Sequence, residues 1–175
     1  MIIFLNGPPG CGKDTVGRIL ERDHGAILYK VAAPLRAALC GLLGIEDTEV
    51  ELVKGGRFTT GATGRDLMIG ISEDVVKPLL GHDWFGRKCG RQIAQDAPAL
   101  AVVTDAGFRN EVAACMAAAD MPASVWRIQR PGCSFAGDSR GWVSVNGAAP
   151  AFLYNTGTVE ELRPVVGRLL QDICQ

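Results

Sequence analysis

No stretch of this 175-residue chain approaches the roughly 18 to 20 consecutive apolar residues of a membrane-spanning helix. The opening apolar run, Ile2 to Leu5, is four residues long with no basic region before it, too short for a secretory leader. The net charge of −1 gives no basic excess, which argues against attachment to a nucleic acid polymer. Six cysteines form no C-x-x-C pair and have no histidine at metal-binding spacing, so Cys11, Cys40, Cys89, Cys115, Cys133 and Cys174 read as reduced thiols. These absences together lead to the expectation of a soluble, cytoplasmic protein. There is no internal repeat, no low-complexity tract, and no Ser–His or Cys–His constellation for nucleophilic catalysis. Length alone suggests a single domain, 1–175, with a real core.

What is present begins at the N-terminus. Ile2-Ile3-Phe4-Leu5-Asn6 reads as a buried strand, Gly7-Pro8-Pro9-Gly10-Cys11-Gly12 as a tight loop, and 13–24 as a helix with Val16, Ile19 and Leu20 on one side. Strand, glycine-rich loop and helix, with Lys13 at the junction, are the context of a phosphate-binding loop. Backbone N–H groups curl round an anion, the helix N-terminus adds positive partial charge, and Lys13 reaches the outer phosphates. The alternative is a glycine-rich turn that binds nothing. Asp14 stands where a Ser or Thr usually follows the lysine, and Thr15 comes next. A carboxylate can hold Mg²⁺ directly or through water, and Thr15 can donate to a phosphate nearer the nucleoside. Cys11, beside Lys13 and the loop amides, is expected to have a lowered thiol pKa and to react with bulky reagents unless ATP protects it.

Further along, strands alternate with helices. Strands are expected at 26–31, 100–105, 124–129 and 151–154. Helices are expected at 33–44 (Leu35, Leu39 and Leu42 inward), 65–80 (Leu67, Ile71 and Val75 inward), 83–95 and 110–119, and after Thr158. Thr158 and Glu161 form a capping box, and Val159, Leu162, Val166, Leu169 and Ile173 follow on one face. Glycines interrupt 46–64, which reads as a mobile surface segment without regular elements, and 131–149 reads as a loop or lid. The alternation predicts an α/β fold with a parallel sheet covered on both faces and ligands at the carboxyl ends of its strands. A helical substrate-binding insert at about 33–98 and the lid complete it.

Asp105 closes an apolar strand and is placed beside the phosphate loop, to order Mg²⁺, hold a substrate hydroxyl, or merely cap the next helix. Arg36 and Arg65, near helix starts, suit an anion or are solvated surface residues. Trp84 offers a face to a nucleobase or packs in a core. His82 receives no role. Arg outnumbers Lys by 13 to 5, as phosphate recognition or a GC-rich genome would both produce.

Gly10-Cys11-Gly12-Lys13-Asp14-Thr15 resembles both adenylate kinase and, through G-K-D-T, the phage-type deoxynucleoside monophosphate kinases. For the latter family the resemblance continues through Tyr29 to Leu39, Gly64-Arg65-Asp66-Leu67-Met68, Asp83-Trp84, Arg130-Pro131-Gly132 and Asn155 to Leu162. Asp105-Ala106-Gly107-Phe108-Arg109-Asn110-Glu111 is similar to its D-x-R-F-x-N-E stretch, except that Gly107 holds the arginine position and Arg109 lies two residues on.

The resemblance implies the P-loop kinase fold, three-layer α/β/α with a central five-stranded parallel sheet, and transfer of the γ-phosphoryl group of Mg·ATP to a (deoxy)nucleoside monophosphate. It gives Arg36, Arg65, Trp84, Asp105 and Arg109 to the acceptor, and Gly10 to Thr15, Arg130, Asn155 and Gly157 to ATP. Lys13, Arg65 and Arg130 act on the transferring group, within reach of Arg140 as well, and Asp14 and Asp105 hold the metal. It further suggests a phage origin, while the sequence leaves monomer and homodimer both open. Kinases of dephospho-coenzyme A or phosphomevalonate type remain open, as does a nucleotide-switched binding protein. Against the last, the chain has no N-K-x-D run and no glycine three residues after Asp105.

Overall fold

A strand buried along its whole length belongs in the middle of a parallel sheet, because both of its faces must be covered. β1 (Ile2–Asn6) is such a strand. In the computed structural model, which describes residues 1–173, β1 lies at the centre. It pairs in parallel with β3 (Ala101–Val103) on one side and β4 (Ala123–Gln129) on the other. β2 (Ile27–Tyr29) flanks β3 and β5 (Ala148–Tyr154) flanks β4, giving the all-parallel order β2-β3-β1-β4-β5. The expected five-stranded parallel α/β fold is therefore the one observed. Cys174 lies outside the described residues.

Two compact units make up the chain, and the sheet belongs to the one formed by Met1–Val31 and Gly86–Gln175. On one face, Ile3, Leu5, Val102, Trp126 and Ile128 pack with Val16, Ile19 and Leu20 of α1 (Lys13–His24) and with Leu162 and Val166 of α8 (Val159–Ile173). Ile2 and Phe4 alternate with these in the pleat and so turn to the opposite face. The buried Ile93 of α6 (Trp84–Asp96) and Val112 of α7 (Arg109–Ala119) stand outside the first cluster. α6 approaches α7 at two glycines: a Cβ on Gly86 would lie 2.1 Å from the Glu111 carbonyl oxygen, and one on Gly90 would lie 2.3 Å from that of Cys115. The capping box at the head of α8 is formed as expected. Thr158 N–H donates to Glu161 Oε2 at 2.8 Å, and Glu161 N–H donates to Thr158 Oγ1 at 3.3 Å. Val159, expected inward, is 44 % exposed because it opens the first turn, ahead of the packed stripe.

Ala32–Phe85 is the second unit and is helical. It contains α2 (Ala33–Leu43), a 3-10 turn (Asp47–Glu49), α3 (Val50–Gly55), α4 (Gly64–Gly70), a π turn (Ile71–Val76) and α5 (Lys77–Leu80). Three expectations need correction here. Segment 46–64 is not irregular throughout, since Glu46 and Glu49 cap each other and start the 3-10 turn and α3. Leu42 is exposed on α2, where Leu39 alone is buried. Val75 is exposed as well: the π turn adds a residue per turn, which rotates the four-residue stripe outward and buries Ser72 in its place. Where an insert of 33–98 was expected, the second unit ends at Phe85, and from Gly86 the chain belongs to the sheet unit.

Tyr29, at the end of β2, donates its hydroxyl to Asp96 Oδ2 at 2.9 Å. Burial, and then the Asp96 carboxylate, push its pKa from 10.0 up to about 12. The folded value is the higher one, so protonated Tyr29 contributes stability in full below about pH 10, and that contribution is lost as pH rises toward 12. Urea midpoints of wild type and Tyr29→Phe should therefore converge as pH rises from about 10 to about 12. A constant gap across that window would contradict the pairing.

Candidate active site

The loop between β1 and α1 is possible because of glycine. Gly10 has φ 77° and Gly12 φ 103°, in the left-handed region that side chains disfavour. Gly12 is the N-cap of α1 and supplies no side-chain cap, so the first-turn amides have no intrahelical acceptor and present the positive end of the helix dipole. Lys13 Nζ donates to the carbonyls of Gly7 at 2.7 Å and Pro8 at 2.8 Å, which holds the ammonium over the loop. Asp14 is exposed in the first turn and Thr15 is half-buried beside it.

Asn155 braces this loop from behind. It is buried, it donates from Nδ2 to the Cys11 carbonyl at 2.8 Å, and its own N–H donates to Gln129 O at 2.8 Å. A Cβ on Gly12 would lie 2.4 Å from the same Nδ2. The residue expected beside the adenine thus fixes the loop's backbone. Gly157 lies against Glu161 of the capping box, 2.2 Å from a built Cβ to Oε2. Arg130 is exposed at the end of β4, and its carbonyl accepts from Cys133 N–H at 3.1 Å.

Asp105 follows β3, and its Oδ1 accepts from the Val31 N–H at 2.8 Å, which ties β3 to the end of the β2 segment. Arg109 is exposed as the first residue of α7. At Gly107, two residues earlier, the space is taken: a Cβ there would lie 2.5 Å from Cδ of Arg140. Arg140 comes from the segment expected to be a lid, and its guanidinium is held by Asp138, with Nε to Oδ1 at 2.8 Å. That segment is shorter than expected, since Ala148 and Ala149 belong to β5. It is also fastened to the sheet. Val143 is buried, its N–H donates to Asn6 Oδ1 at 2.9 Å, and its carbonyl accepts from Arg127 Nη2 at 3.0 Å. Sequence reasoning passed over Asn6 and Arg127; the available signal was a lone amide closing an otherwise apolar strand.

The remaining expected residues belong to the second unit. Arg36 is largely enclosed by its partners, with Nε 2.9 Å from Asp47 Oδ1 and Nη1 2.6 Å from Glu51 Oε1. The hydrogen bond to Asp47 leads the effects that raise its pKa. Its Nη2 donates to the Asp47 carbonyl at 3.1 Å. Arg65 is exposed in the first turn of α4, which Thr63 and Asp66 close with a capping box. Trp84 is half-buried and meets Phe85 edge to face, ring centres 5.0 Å apart.

Among the described residues no three His, Cys, Asp or Glu side chains gather as a metal site. Mg²⁺ does not need such a cage, because one or two carboxylates complete its shell with phosphate oxygens and water. The exposed Asp14 at the head of α1 suits that requirement. No helix of the described residues is long and apolar enough to cross a membrane.

No protein-family profile matches the chain, and no curated protein matches it. Solved structures do. A sugar kinase from Janibacter sp. HTCC2649, in unliganded form, superposes with a TM-score of 0.52 at 11 % identity, over 97 % of this chain and 94 % of its own. A protein from Chloroflexus aurantiacus J-10-fl assigned as a kinase gives 0.50 at 16 % identity, over 98 % and 96 %. At such identities the likeness establishes the fold.

Cys11 differs from expectation. Its thiol is fully buried, with Sγ 3.8 Å from Lys13 Nζ, and burial outweighs the ammonium, so its pKa is raised. Among the described residues Cys40 and Cys133 are the more accessible thiols. Brief maleimide treatment of the native protein, followed by peptide mass mapping, should label Cys133 or Cys40 and leave Cys11 unmodified. Early labelling of Cys11 would show that the thiol is open to solvent.

Proposed function

We propose that the chain is a P-loop kinase that transfers the γ-phosphoryl group of Mg·ATP to a (deoxy)nucleoside monophosphate. The observation that carries this reading is the uncapped N-terminus of α1 behind a two-glycine loop, with the Lys13 ammonium held over it. Uncapped amides, a helix dipole and a fixed cation form a receptor for a polyphosphate. The kinase fold of the structural neighbours agrees with that reading, and the resemblance to phage-type deoxynucleoside monophosphate kinases supplies the acceptor class.

An acceptor phosphate is already anionic, so the reaction asks for alignment and charge neutralisation more than for a base. Lys13 and the loop amides bind the outer phosphates of the donor. Asn155 keeps the loop backbone in register. Arg130 neutralises charge from the end of β4 and flanks the donor's base with Gly157. Arg65 grips the acceptor phosphate, and Trp84, Asp105 and Arg109 complete acceptor recognition, with Arg36 bracing Asp47 and Glu51. Asp14 and Asp105 are the residues that would hold Mg²⁺, which would supply charge neutralisation for the phosphates.

Steady-state kinetics with each substrate varied in turn test these roles. Lys13→Ala should keep the fold and lose about a hundredfold or more in kcat. Arg65→Ala should leave the KM for ATP unchanged and raise the acceptor KM by roughly tenfold to a hundredfold, as loss of a charge-assisted hydrogen bond implies. Near-normal turnover in Lys13→Ala would end the kinase reading, and equal weakening of both substrates in Arg65→Ala would end the acceptor assignment.

A further inference from the structure

Asn6 is fully buried at the end of β1, one residue before the phosphate loop. A buried amide is costly unless each of its groups is paired. Here all are. Nδ2 donates to Ala106 O at 2.9 Å and to Gly141 O at 3.0 Å, while Oδ1 accepts the Val143 N–H at 2.9 Å. One side chain therefore joins the loop strand, the turn after Asp105 and the strap 131–147. Arg127, opposite Asn6 in the β1–β4 register, holds Val143 O from Nε at 3.1 Å and Nη2 at 3.0 Å.

Arg140 lies between this clasp and Asp138. Its backbone N–H donates to Asp138 Oδ1 at 2.9 Å, its Nε donates to the same oxygen at 2.8 Å, and its side chain rests on Gly107. Phe135 and Trp142 close the strap edge to face, ring centres 5.1 Å apart. Gly141, next to Arg140 in the chain, gives its carbonyl to Asn6 Nδ2 at 3.0 Å, which sets the strap against the end of the strand that enters the phosphate loop.

We propose that Asn6 is a positioning residue which, with Arg127, pins the strap so that Arg140 stands preset beside the phosphate loop and neutralises the transferring phosphoryl group. This rests on the kinase reading. It replaces the closing lid expected for 131–149 with a fixed arm. A guanidinium braced before substrate arrives requires no reorganisation during the reaction.

The test is a coupling cycle among Asn6→Ala, Arg127→Met and Arg140→Ala, read by turnover and by amide exchange at Val143. Arg127→Met releases the strap from a half-buried position and serves if Asn6→Ala fails to fold. Each clasp variant should speed Val143 exchange by about tenfold or more and lower kcat by roughly tenfold to a hundredfold, with the KM for ATP within about twofold. In the Arg140→Ala background the same changes should cost less than about twofold, because the residue they position is gone. Losses that multiply in that background, or unchanged exchange at Val143, would overturn the proposal. A wild-type chain that transfers no phosphoryl group to any acceptor would instead sink the kinase reading and Arg140's part with it, a result distinct from an active enzyme whose losses multiply.

Discussion

The turn from β1 into α1 closes only if residue 12 is a glycine. At φ 103° a side chain is strained, and a Cβ would meet the Asn155 amide at 2.4 Å. Everything proposed for the site depends on that constraint. It lets Asn155 reach the Cys11 carbonyl, it leaves α1 without a side-chain cap, and it brings the Lys13 ammonium back over the carbonyls of Gly7 and Pro8. The cost of left-handed glycines and uncapped amides is justified where an anion is meant to bind.

Around that loop, buried polar side chains do the positioning. Asn6 in front and Asn155 behind are each fully or nearly buried, and each gives its amide to backbone carbonyls. Such bonds specify one arrangement, because breaking any of them strands a buried carbonyl or N–H. The charged residues divide in a similar way. Arg140 and Arg36 are held by neighbouring carboxylates, whereas Arg65, Arg109 and Arg130 are exposed. Held guanidiniums suit fixed roles, and exposed ones suit ligands that come and go.

Local features were legible in the sequence. The β1–loop–α1 unit, the five strands and the Thr158–Glu161 box depend on neighbours a few residues apart, and all are found, with β2 shorter than its pattern and β5 starting earlier, at Ala148. Features set by distant packing were not. Cys11 looked reactive from its neighbours in sequence, yet the core around it decides its pKa. The π turn that rotates Val75 outward leaves no mark in an apolar spacing. The 131–147 segment has lid-like composition, but Asn6 and Arg127, more than a dozen residues away, fasten it. Gly107 looked like a gap in the family's pattern; in the fold Arg140 fills the space beside it.

The central claim is that this loop serves phosphoryl transfer to a nucleotide. The most direct measurement follows the label from γ-labelled ATP with Mg²⁺ across all ribo- and deoxynucleoside monophosphates. The account predicts labelled nucleoside diphosphate from at least one acceptor, formed faster than free phosphate is released. Label found only in free phosphate, at a rate indifferent to every acceptor, would contradict it.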